Sequence, residues 1–377
     1  MLVRPRHTDT STSRARDSIP FNDLRRTAEV DEDTAAAVER VVRSGWYLLG
    51  EETSAFEREF ADYLGTDHAI GLASGTDALE LALAALGCAT GQEVLTAANA
   101  GGYSTCAARR RGLHVRYADV DESSLLLTAE TVAQALTART TVVVVTHLYG
   151  KMADVAAICD VCHPRGIRVL EDCAQAAGAR TNGSLAGSVA DAGAFSFYPT
   201  KNLAALGDAG AVVTSDDDVA ESVRRLRQYG WGAKYKVQQD GGRNSRVDEI
   251  QAAALRVRLR ELDGRNRRRR EIAARYAQAL ADTSAQMVHT GEQDYVAHLA
   301  VLRSPRRDEL AAALRAEGIG SEIHYPVPDH RQAVIGAPSV SLPVSEAASQ
   351  QVLSLPCFPE LEQWELDTIC FVLAESV

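Results

Sequence analysis

The stretch Phe195-Ser196-Phe197-Tyr198-Pro199-Thr200-Lys201-Asn202-Leu203 places a lysine in an apolar, aromatic context. Lysine is scarce in this chain, which has four, and a Gly-Asp-Ala-Gly turn (207–210) follows Lys201. A partly desolvated lysine has a lowered pKa and becomes nucleophilic, as Schiff-base chemistry requires. On this stretch alone, a surface lysine after a strand is an equal alternative. The surrounding sequence decides between the two interpretations.

Short apolar runs alternate with helical patterns between residues 68 and 214. The continuous β-branched run 141–146 is typical of a strand that is buried on both faces. We therefore predict an α/β fold in which an open, mostly parallel sheet carries helices on both faces. Ligands of such sheets bind beyond the carboxyl ends of the strands.

The pattern changes after a long helical stretch that we predict over residues 248–280. Beyond it we predict a strand near residues 321–324 and a helix near residues 345–354. The sequence thus divides into a disordered polar tail (1–18), a large α/β domain (19–265) and a small C-terminal α+β domain (266–377).

Composition excludes several classes of function. A net charge of −11 argues against a nucleic-acid-binding role. No apolar run approaches the roughly 20 residues of a membrane span, and the first residues lack the hydrophobic core of a signal peptide. The seven cysteines are scattered and odd in number, as reduced thiols would be. We expect a cytoplasmic protein that binds neither nucleic acid nor a membrane.

Two further features belong with the lysine. Ser74-Gly75-Thr76 lies between a predicted strand and a predicted helix, where backbone N–H groups and hydroxyls can bind an anion. By itself, the tripeptide is more often an ordinary helix cap. Asp172 ends a buried strand, where a carboxylate is costly unless it meets a cation or strong donors. By itself, Asp172 could equally cap the next turn.

Together these three features meet the needs of pyridoxal 5′-phosphate. Its phosphate requires a helix N-terminus and hydroxyls, its ring nitrogen a carboxylate, and its aldehyde a lysine. In chain order the phosphate turn, Asp172 and Lys201 can all reach the same edge of the sheet. The combination is far more specific than any of its parts, so we predict this cofactor.

From Ile19 to its C-terminus the sequence resembles the DegT/DnrJ/EryC1/StrS family of sugar aminotransferases, which belongs to fold type I of the pyridoxal-phosphate enzymes. The motifs that carry the resemblance are Ser74-Gly75-Thr76, Glu171-Asp172-Cys173-Ala174-Gln175, Ser196-Phe197-Tyr198-Pro199-Thr200-Lys201-Asn202-Leu203, Gly207-Asp208-Ala209-Gly210 and Asn244-Ser245-Arg246-Val247-Asp248-Glu249-Ile250-Gln251-Ala252-Ala253. The resemblance implies a large domain with a mostly parallel, seven-stranded sheet and a smaller C-terminal α+β domain.

The resemblance also implies a role for each matching residue. Lys201 would bind the cofactor covalently and later move a proton between the two reacting carbons. Asp172 would keep the ring nitrogen protonated, so that the ring accepts electrons. Gln175 would contact the ring hydroxyl, and Ala174 would lie under the ring.

Other residues would complete the site. The phosphate would be held by Gly75, Thr76, Ser196 and, reaching over from the second subunit, Asn244, so the active site would require a homodimer. The family stacks an aromatic ring on the cofactor, and Tyr103 is the candidate here, although its neighbours depart from the common family pattern. The residues that would line the sugar pocket are Trp46, Tyr47, Arg246, His324 and Tyr325.

In this family the amino group usually passes from L-glutamate, by way of pyridoxamine 5′-phosphate, to a keto sugar carried on a nucleotide. A homologue with histidine at the lysine position is a dehydratase, so Lys201 favours transamination. We predict a dTDP-linked keto-6-deoxyhexose as substrate, in deoxyaminosugar and antibiotic biosynthesis. The form of the 207–210 turn favours amination at C3 over C4. The alternatives are a transaminase of a keto-cyclitol or related ring, and a non-catalytic regulator that binds pyridoxal phosphate.

Two motifs suggest different functions. Cys159-Asp160-Val161-Cys162-His163 matches a haem-attachment pattern, but no export signal or second pair of metal ligands accompanies it. We expect buried thiols on a helix face and no metal site. The arginine-rich run 265–270 matches a nucleic-acid signal, but on a long amphipathic helix a solvated or interface face is expected.

Overall fold

The computed structural model describes residues 18–335, 337 and 339–376, so the predicted tail, apart from Ser18, lies outside the described residues. The helices of the described part are α1 (Leu24–Val30), α2 (Glu32–Ser44), α3 (Glu51–Leu64), α4 (Gly75–Ala85), α5 (Tyr103–Arg110), α6 (Ala129–Ala135), α7 (Val155–Cys162), α8 (Asp217–Leu226), α9 (Glu249–Leu259), α10 (Leu262–Ala279), α11 (Arg307–Ala316), α12 (Pro343–Gln351) and α13 (Gln363–Ser376). Across this part of the chain, no helix combines the length and apolarity needed to cross a membrane.

The strands of the described part are β1 (His68–Leu72), β2 (Glu93–Ala97), β3 (His114–Ala118), β4 (Thr140–Thr146), β5 (Arg168–Asp172), β6 (Arg180–Thr181), β7 (Ser184–Leu185), β8 (Ala192–Ser196), β9 (Gly210–Thr214), β10 (Trp231–Ala233), β11 (Lys236–Val237), β12 (Gln286–Met287), β13 (Ala300–Arg303) and β14 (Val352–Leu355). Seven of them form the central sheet in the order β1-β9-β8-β5-β4-β2-β3. Strand β9 runs antiparallel to both neighbours, and every other pair is parallel. The predicted α/β fold and mostly parallel sheet are confirmed.

This topology brings distant parts of the sequence to one edge of the sheet. Because six strands point the same way, their carboxyl ends meet there, and β1, β5 and β8 end at Leu72, Asp172 and Ser196. The reversed strand β9 starts at the same edge with Gly210. The turn after β1, the carboxylate of β5 and the lysine that follows β8 therefore converge.

The aromatic residues around β8 form the core beneath this edge. Successive side chains of an extended segment point to opposite faces. Phe195 and Phe197 are fully buried, and the ring centroid of Phe60 on α3 lies 5.0 Å and 5.5 Å from theirs. Ser196, between them, faces the amino end of α4, where a Cβ atom on Gly75 would meet it. The aromatic residues that precede Lys201 in the sequence thus pack on the face of the strand opposite to Ser196.

The C-terminal part has its own sheet and core. Strands β12, β13 and β14 pair antiparallel, and α10, α11 and α13 pack with them. Ile19, near the amino end, lies in the same core and bridges to Ile319. Arg26 on α1 pairs with the buried Glu365 on α13 at 2.7 Å. The first described residues therefore pack on the C-terminal unit. The division at residues 265 and 266 stays a prediction.

Three element predictions for the C-terminal part are wrong. The helix over 248–280 is two helices, because the N–H groups of Arg260 and Glu261 bond three residues back and so end α9. No strand forms over residues 321–324, where Glu322 makes only an isolated bridge to Ser354. The helix near 345–354 ends at Gln351, because the following four residues are buried and pair with β13 as β14. This long-range pairing overrides local helix propensity.

Phe60→Ala tests the packing beneath the site. We expect it to lower the free energy of unfolding by about 3–5 kcal/mol. The substitution removes the ring that contacts both Phe195 and Phe197, and so leaves a cavity beside them. Phe60→Leu keeps much of the volume and should cost clearly less. Urea unfolding followed by circular dichroism measures both variants, and equal, small losses would contradict the packing described here.

Candidate active site

A cavity of about 590 Å³ opens at the carboxyl edge of the central sheet, between the sheet and the C-terminal unit. Ten residues predicted from the sequence line it, namely Gly75, Thr76, Tyr103, Asp172, Ala174, Gln175, Ser196, Lys201, His324 and Tyr325. Its volume lies within the usual range for small-molecule sites. The residues gathered from separate motifs thus share one concave surface.

The turn after β1 is shaped to receive an anion. Ser74 caps α4 by accepting a hydrogen bond from the Asp77 N–H at 3.1 Å, which leaves the first N–H groups of the helix facing the cavity edge. A Cβ atom on Gly75 would lie 2.5 Å from Cβ of Ser196. A Cβ atom on Gly210 would lie 2.4 Å from the carbonyl carbon of Ser74. Both glycines allow close contact between α4, β8 and β9, so N–H groups and hydroxyls gather at the positive end of a helix.

Asp172 is a buried carboxylate with weak partners. It accepts hydrogen bonds from Ser104 Oγ at 3.2 Å, Thr146 Oγ1 at 3.3 Å and the Ala174 N–H at 3.2 Å. All three donors are neutral and all three bonds are long. Burial raises the pKa of Asp172, an effect that the Ala174 N–H and the charge of Lys201 only partly oppose. The site therefore favours a further cationic donor at this carboxylate.

Its neighbour Glu171, on the other face of β5, provides a contrast. Glu171 is fully buried, yet it accepts four hydrogen bonds of 2.9 Å, three from backbone N–H groups in residues 187–190 and one from His147 Nε2. These bonds hold the pKa of Glu171 below its ordinary value despite burial. Two adjacent carboxylates thus differ in a specific way: Glu171 is satisfied by the protein, and Asp172 is not.

Lys201 faces Asp172 across the cavity. Its backbone N–H bonds the Tyr198 carbonyl at 2.8 Å, which closes a tight turn just after β8 and directs the chain back toward β9. Burial lowers the pKa of Lys201 to about 8, and the negative charge of Asp172 only partly offsets this effect. A substantial fraction of the amine is therefore uncharged and nucleophilic near neutral pH.

Gln175 and Tyr103 complete the walls. Gln175 Oε1 accepts a hydrogen bond from the Tyr149 N–H at 2.6 Å, and its Nε2 donates to the Tyr325 hydroxyl at 3.1 Å. The Tyr103 ring is about half exposed and lies edge-on to Tyr325, with centroids 6.4 Å apart. Gly101, in a left-handed conformation before α5, touches the Tyr325 ring so closely that a Cβ atom there would lie 2.7 Å from it. These contacts hold Tyr325 between Gln175 and Tyr103, the two residues that are predicted to contact the cofactor.

Four predicted residues are not among those that line this cavity. Trp46 and Tyr47 are 64% and 50% exposed, on the loop between α2 and α3. Asn244 is exposed and bridges to Gln228, and Arg246 is half-buried. Their roles at the site stay predictions.

Sequence reasoning missed several residues that the structure brings to the site. Ser104 and Thr146 bond Asp172, and His298 lines the cavity beside Lys201. Thr146 pairs with Asp172 in the register of β4 and β5, so its place follows from the end of the predicted strand 141–146. His298 lies just before β13, within the stretch 296–302 whose pattern predicts a strand, but that pattern does not indicate that its imidazole reaches the cavity.

The candidate metal ligands are either thiols with a raised pKa or side chains that already have hydrogen-bond partners. Burial raises the pKa of Cys159 to about 12 and that of Cys162 to about 11, and His163 bonds Asp191 at 3.1 Å. His147, Glu171 and Cys173 lie close together, but His147 Nδ1 accepts from the Ala153 N–H and its Nε2 bonds Glu171. Thiols and committed imidazoles of this kind are poor metal ligands.

The arginine-rich run 265–270 is part of the fold. Arg265 pairs with Glu360 at 2.7 Å, and Arg268 donates to the Leu361 carbonyl at 3.1 Å. Arg269 is buried and donates to the Cys357 carbonyl. These contacts lie between α10 and the segment before α13, so Arg265, Arg268 and Arg269 serve an internal interface.

Comparison with known proteins agrees with this geometry. The family model described as the DegT/DnrJ/EryC1/StrS aminotransferase family matches residues 28–374. A protein of Streptomyces venezuelae named dTDP-3-amino-3,4,6-trideoxy-alpha-D-glucose transaminase is 44% identical, over 92% of both chains. A protein of the same name from Micromonospora megalomicea subsp. nigra is 42% identical, over 92% of this chain and 95% of its own. The crystal structure of S. venezuelae DesV superposes with a TM-score of 0.92 at 42% identity, over 95% of this chain and 98% of that chain.

Gly75→Ala tests the anion cradle. The new methyl group would separate α4 from β8, so we expect the dissociation constant for pyridoxal phosphate to rise at least ~10-fold. Gly264→Ala, on α10 with room for a methyl group, is the matched control and should bind as the unaltered protein does. Absorbance titration of the full-length protein measures both. An unchanged constant in Gly75→Ala would show that this turn does not hold the phosphate.

Proposed function

Because this chain belongs to the DegT/DnrJ/EryC1/StrS aminotransferase family, we propose that it transfers an amino group from L-glutamate to C3 of a dTDP-linked keto-6-deoxyhexose, with pyridoxal 5′-phosphate as cofactor. The observation that carries the proposal is the pairing, in one cavity, of a lysine with a lowered pKa and a buried, under-satisfied carboxylate. Such pairs of perturbed groups in a cleft are typical of catalytic sites.

The residues present fit the cofactor. The α4 turn with Ser196 offers N–H groups and hydroxyls to a phosphate, and Asp172 lacks the cationic donor that a protonated pyridine nitrogen would be. When bound, the cofactor supplies an aldehyde that reacts with amines and a ring that accepts electrons. Gln175 Nε2 has a second hydrogen, besides the one it donates to Tyr325, available for a ring hydroxyl.

Different residues of the chain would carry out different parts of the reaction. Asp172 would hold a proton at the ring nitrogen, because a negative oxygen in a buried site stabilises an adjacent cation. Lys201 Nζ would hold the cofactor through its aldehyde carbon, with loss of water, while the site awaits substrate. Released by an incoming amine, Nζ, with its pKa lowered to about 8, would be able to take a proton from one carbon and return it to the other. Tyr103 and Ala174, which both line the cavity, would flank the ring.

The names of the relatives support the substrate assignment. Both transaminases described above are named for a dTDP-linked sugar aminated at C3, and this chain is 42–44% identical to them over nearly their full length. The names of the relatives therefore point to the same carbon, C3 rather than C4, as the form of the 207–210 turn does. A keto-cyclitol or related ring remains the alternative substrate class, since a change of one or two pocket contacts can alter specificity.

We also propose a homodimer with shared active sites. A single chain leaves large apolar side chains in water, with Trp46, Tyr235 and Val237 exposed by 64%, 76% and 65%. A subunit contact would bury them. The same contact would let Asn244, which is exposed here, reach the phosphate of the second subunit.

An absorption spectrum tests the proposed function. Purified protein with pyridoxal phosphate should absorb near ~420 nm, and L-glutamate should shift the band to ~330 nm as the amino group is taken up. Lys201→Ala should lose the ~420 nm band and transaminase activity towards dTDP-linked keto sugars. A colourless protein would overturn the assignment of Lys201. A Lys201→Ala protein that still supported its pathway would favour the non-catalytic regulator.

Subunit mixing tests the shared site. Lys201→Ala and Asn244→Ala proteins should each be inactive or impaired, but a mixture should recover up to about a quarter of the original activity. Random pairing makes half of the dimers mixed, and each mixed dimer has one intact site of two. If Asn244 acted within its own subunit, no mixture would recover activity.

A further inference from the structure

Asp329 is a buried carboxylate that has no role in the proposed function so far. It lies in the segment between α11 and α12, is 1% exposed, and is not among the residues that line the cavity. Within the described part of the chain, its Oδ1 atom has no hydrogen-bond partner. Burial raises the pKa of Asp329 to about 6, although the Thr105 hydroxyl and the N–H groups of Gly102 and Gly101 oppose the rise. The folded state therefore favours the protonated form, and the charged form near neutral pH lowers stability.

Two hydrogen bonds join Asp329 to both ends of the loop that leads from β2 into α5. The Asp329 N–H donates to the carbonyl of Ala98, directly after β2, at 2.7 Å. Its Oδ2 atom accepts a hydrogen bond of 2.9 Å from the hydroxyl of Thr105, in the first turn of α5. Ala98 and Thr105 are both fully buried, so water does not compete for these bonds. Asp329 therefore spans the loop 99–102 from one end to the other.

The loop and the start of α5 have little to hold them in place by themselves. The N-cap of α5 is Gly102, which has no side chain to accept a hydrogen bond from the first N–H groups of the helix. Gly101 and Gly102 both adopt the left-handed conformation, which glycine allows at low cost. Glycine also loses more conformational freedom on folding than any other residue. The position of the first turn of α5 therefore depends on contacts from other segments, and the Asp329 side chain supplies one of them.

The first turn of α5 supplies two residues to the site. Tyr103 lines the cavity, with its ring edge-on to Tyr325. Ser104, which is buried, donates a hydrogen bond of 3.2 Å to Asp172. Thr105, the next residue, donates to Asp329 instead. Because these three residues are consecutive in one helical turn, a displacement of Thr105 also displaces Tyr103 and Ser104.

We propose that Asp329 is a positioning residue, which holds the first turn of α5 so that Tyr103 and Ser104 are in place at the cofactor site. It acts through its hydrogen bond to Thr105 and contacts neither cofactor nor substrate itself. A buried charge that lowers stability is a poor choice for a purely structural contact, but it is acceptable where the contact serves the site. The inference rests on the proposed function in that Tyr103 and the partner of Ser104, Asp172, are cofactor contacts.

A double-mutant cycle tests whether Asp329 acts through the first turn of α5. Asp329→Ala should raise the dissociation constant for pyridoxal phosphate about tenfold, because Tyr103 and Ser104 are no longer held in place. In a protein that already carries Tyr103→Ala and Ser104→Ala, the same substitution should have a much smaller effect, because the residues that Asp329 positions are absent. Absorbance titration of the full-length proteins measures all four constants. Equal effects of Asp329→Ala in the two backgrounds would overturn the proposal.

Two further variants separate positioning from a general loss of stability. Asp119→Ala is the matched control, because Asp119, just after β3, also joins two distant parts of the chain. It accepts hydrogen bonds of 2.9 Å from the N–H groups of Val344 and Ser345 on α12, and it does not line the cavity. This variant should leave the dissociation constant unchanged even where it lowers stability. Asp329→Asn keeps an acceptor for Thr105 and should retain most of the affinity; a loss as large as that of Asp329→Ala would contradict an action through this hydrogen bond.

Amide hydrogen exchange, followed by mass spectrometry, tests the contact without the cofactor. The Cys106 N–H donates to the Gly102 carbonyl across the first turn of α5. In full-length, cofactor-free protein, Asp329→Ala should speed exchange at this amide and its neighbours in α5, whereas Asp119→Ala should not.

If Asp329→Ala does not fold, Thr105→Val removes the same hydrogen bond from its other end, keeps the shape of the side chain, and should give the same result. Unchanged exchange in a folded variant would overturn the proposal. Failure of the unaltered protein to bind pyridoxal phosphate would count against the proposed function instead, while the exchange rates would still decide whether Asp329 holds α5.

Discussion

The burial of Asp172 beside Lys201, at the edge where parallel strands end, is the constraint on which the site depends. Glu171, one residue earlier, shows that this fold can satisfy a buried carboxylate completely with backbone donors. Asp172 receives only long bonds from neutral groups. The protein therefore leaves one negative charge short of partners, and the cationic ring nitrogen of the proposed cofactor would supply what is missing. The glycines of the α4 turn and the lysine are placed around that charge.

Much of this arrangement could be predicted from sequence because it depends on local patterns. Each of the residues Ser74, Asp172 and Ser196 ends or follows a strand of the central sheet, and alternation of strands and helices indicates a parallel sheet whose carboxyl ends meet. Phe195 and Phe197 mark β8 as buried on one face, so the residues between and after them face the ligand.

The remainder depends on contacts between residues distant in sequence. The orientation of His298 follows from Asn202 and Asn266, 96 and 32 positions away, through bonds that no local pattern encodes. Strand β14 forms against β13 although its residues continue a helical pattern. Residues proposed to act across a subunit contact, such as Asn244, cannot be placed at a site by one chain alone. The sequence indicates which strand ends face the ligand. The contacts that support the residues at those ends depend on tertiary packing.

The two ends of the chain close the same cavity, which affects the order of events during synthesis. Phe21 and Asn22 line one side, and Leu355 and Cys357 line another, while Ile19 pairs with Ile319. A ribosome must therefore translate almost the whole chain before the cavity walls are complete. A chain that stops before residue 355 would therefore lack part of the wall that Leu355 and Cys357 provide.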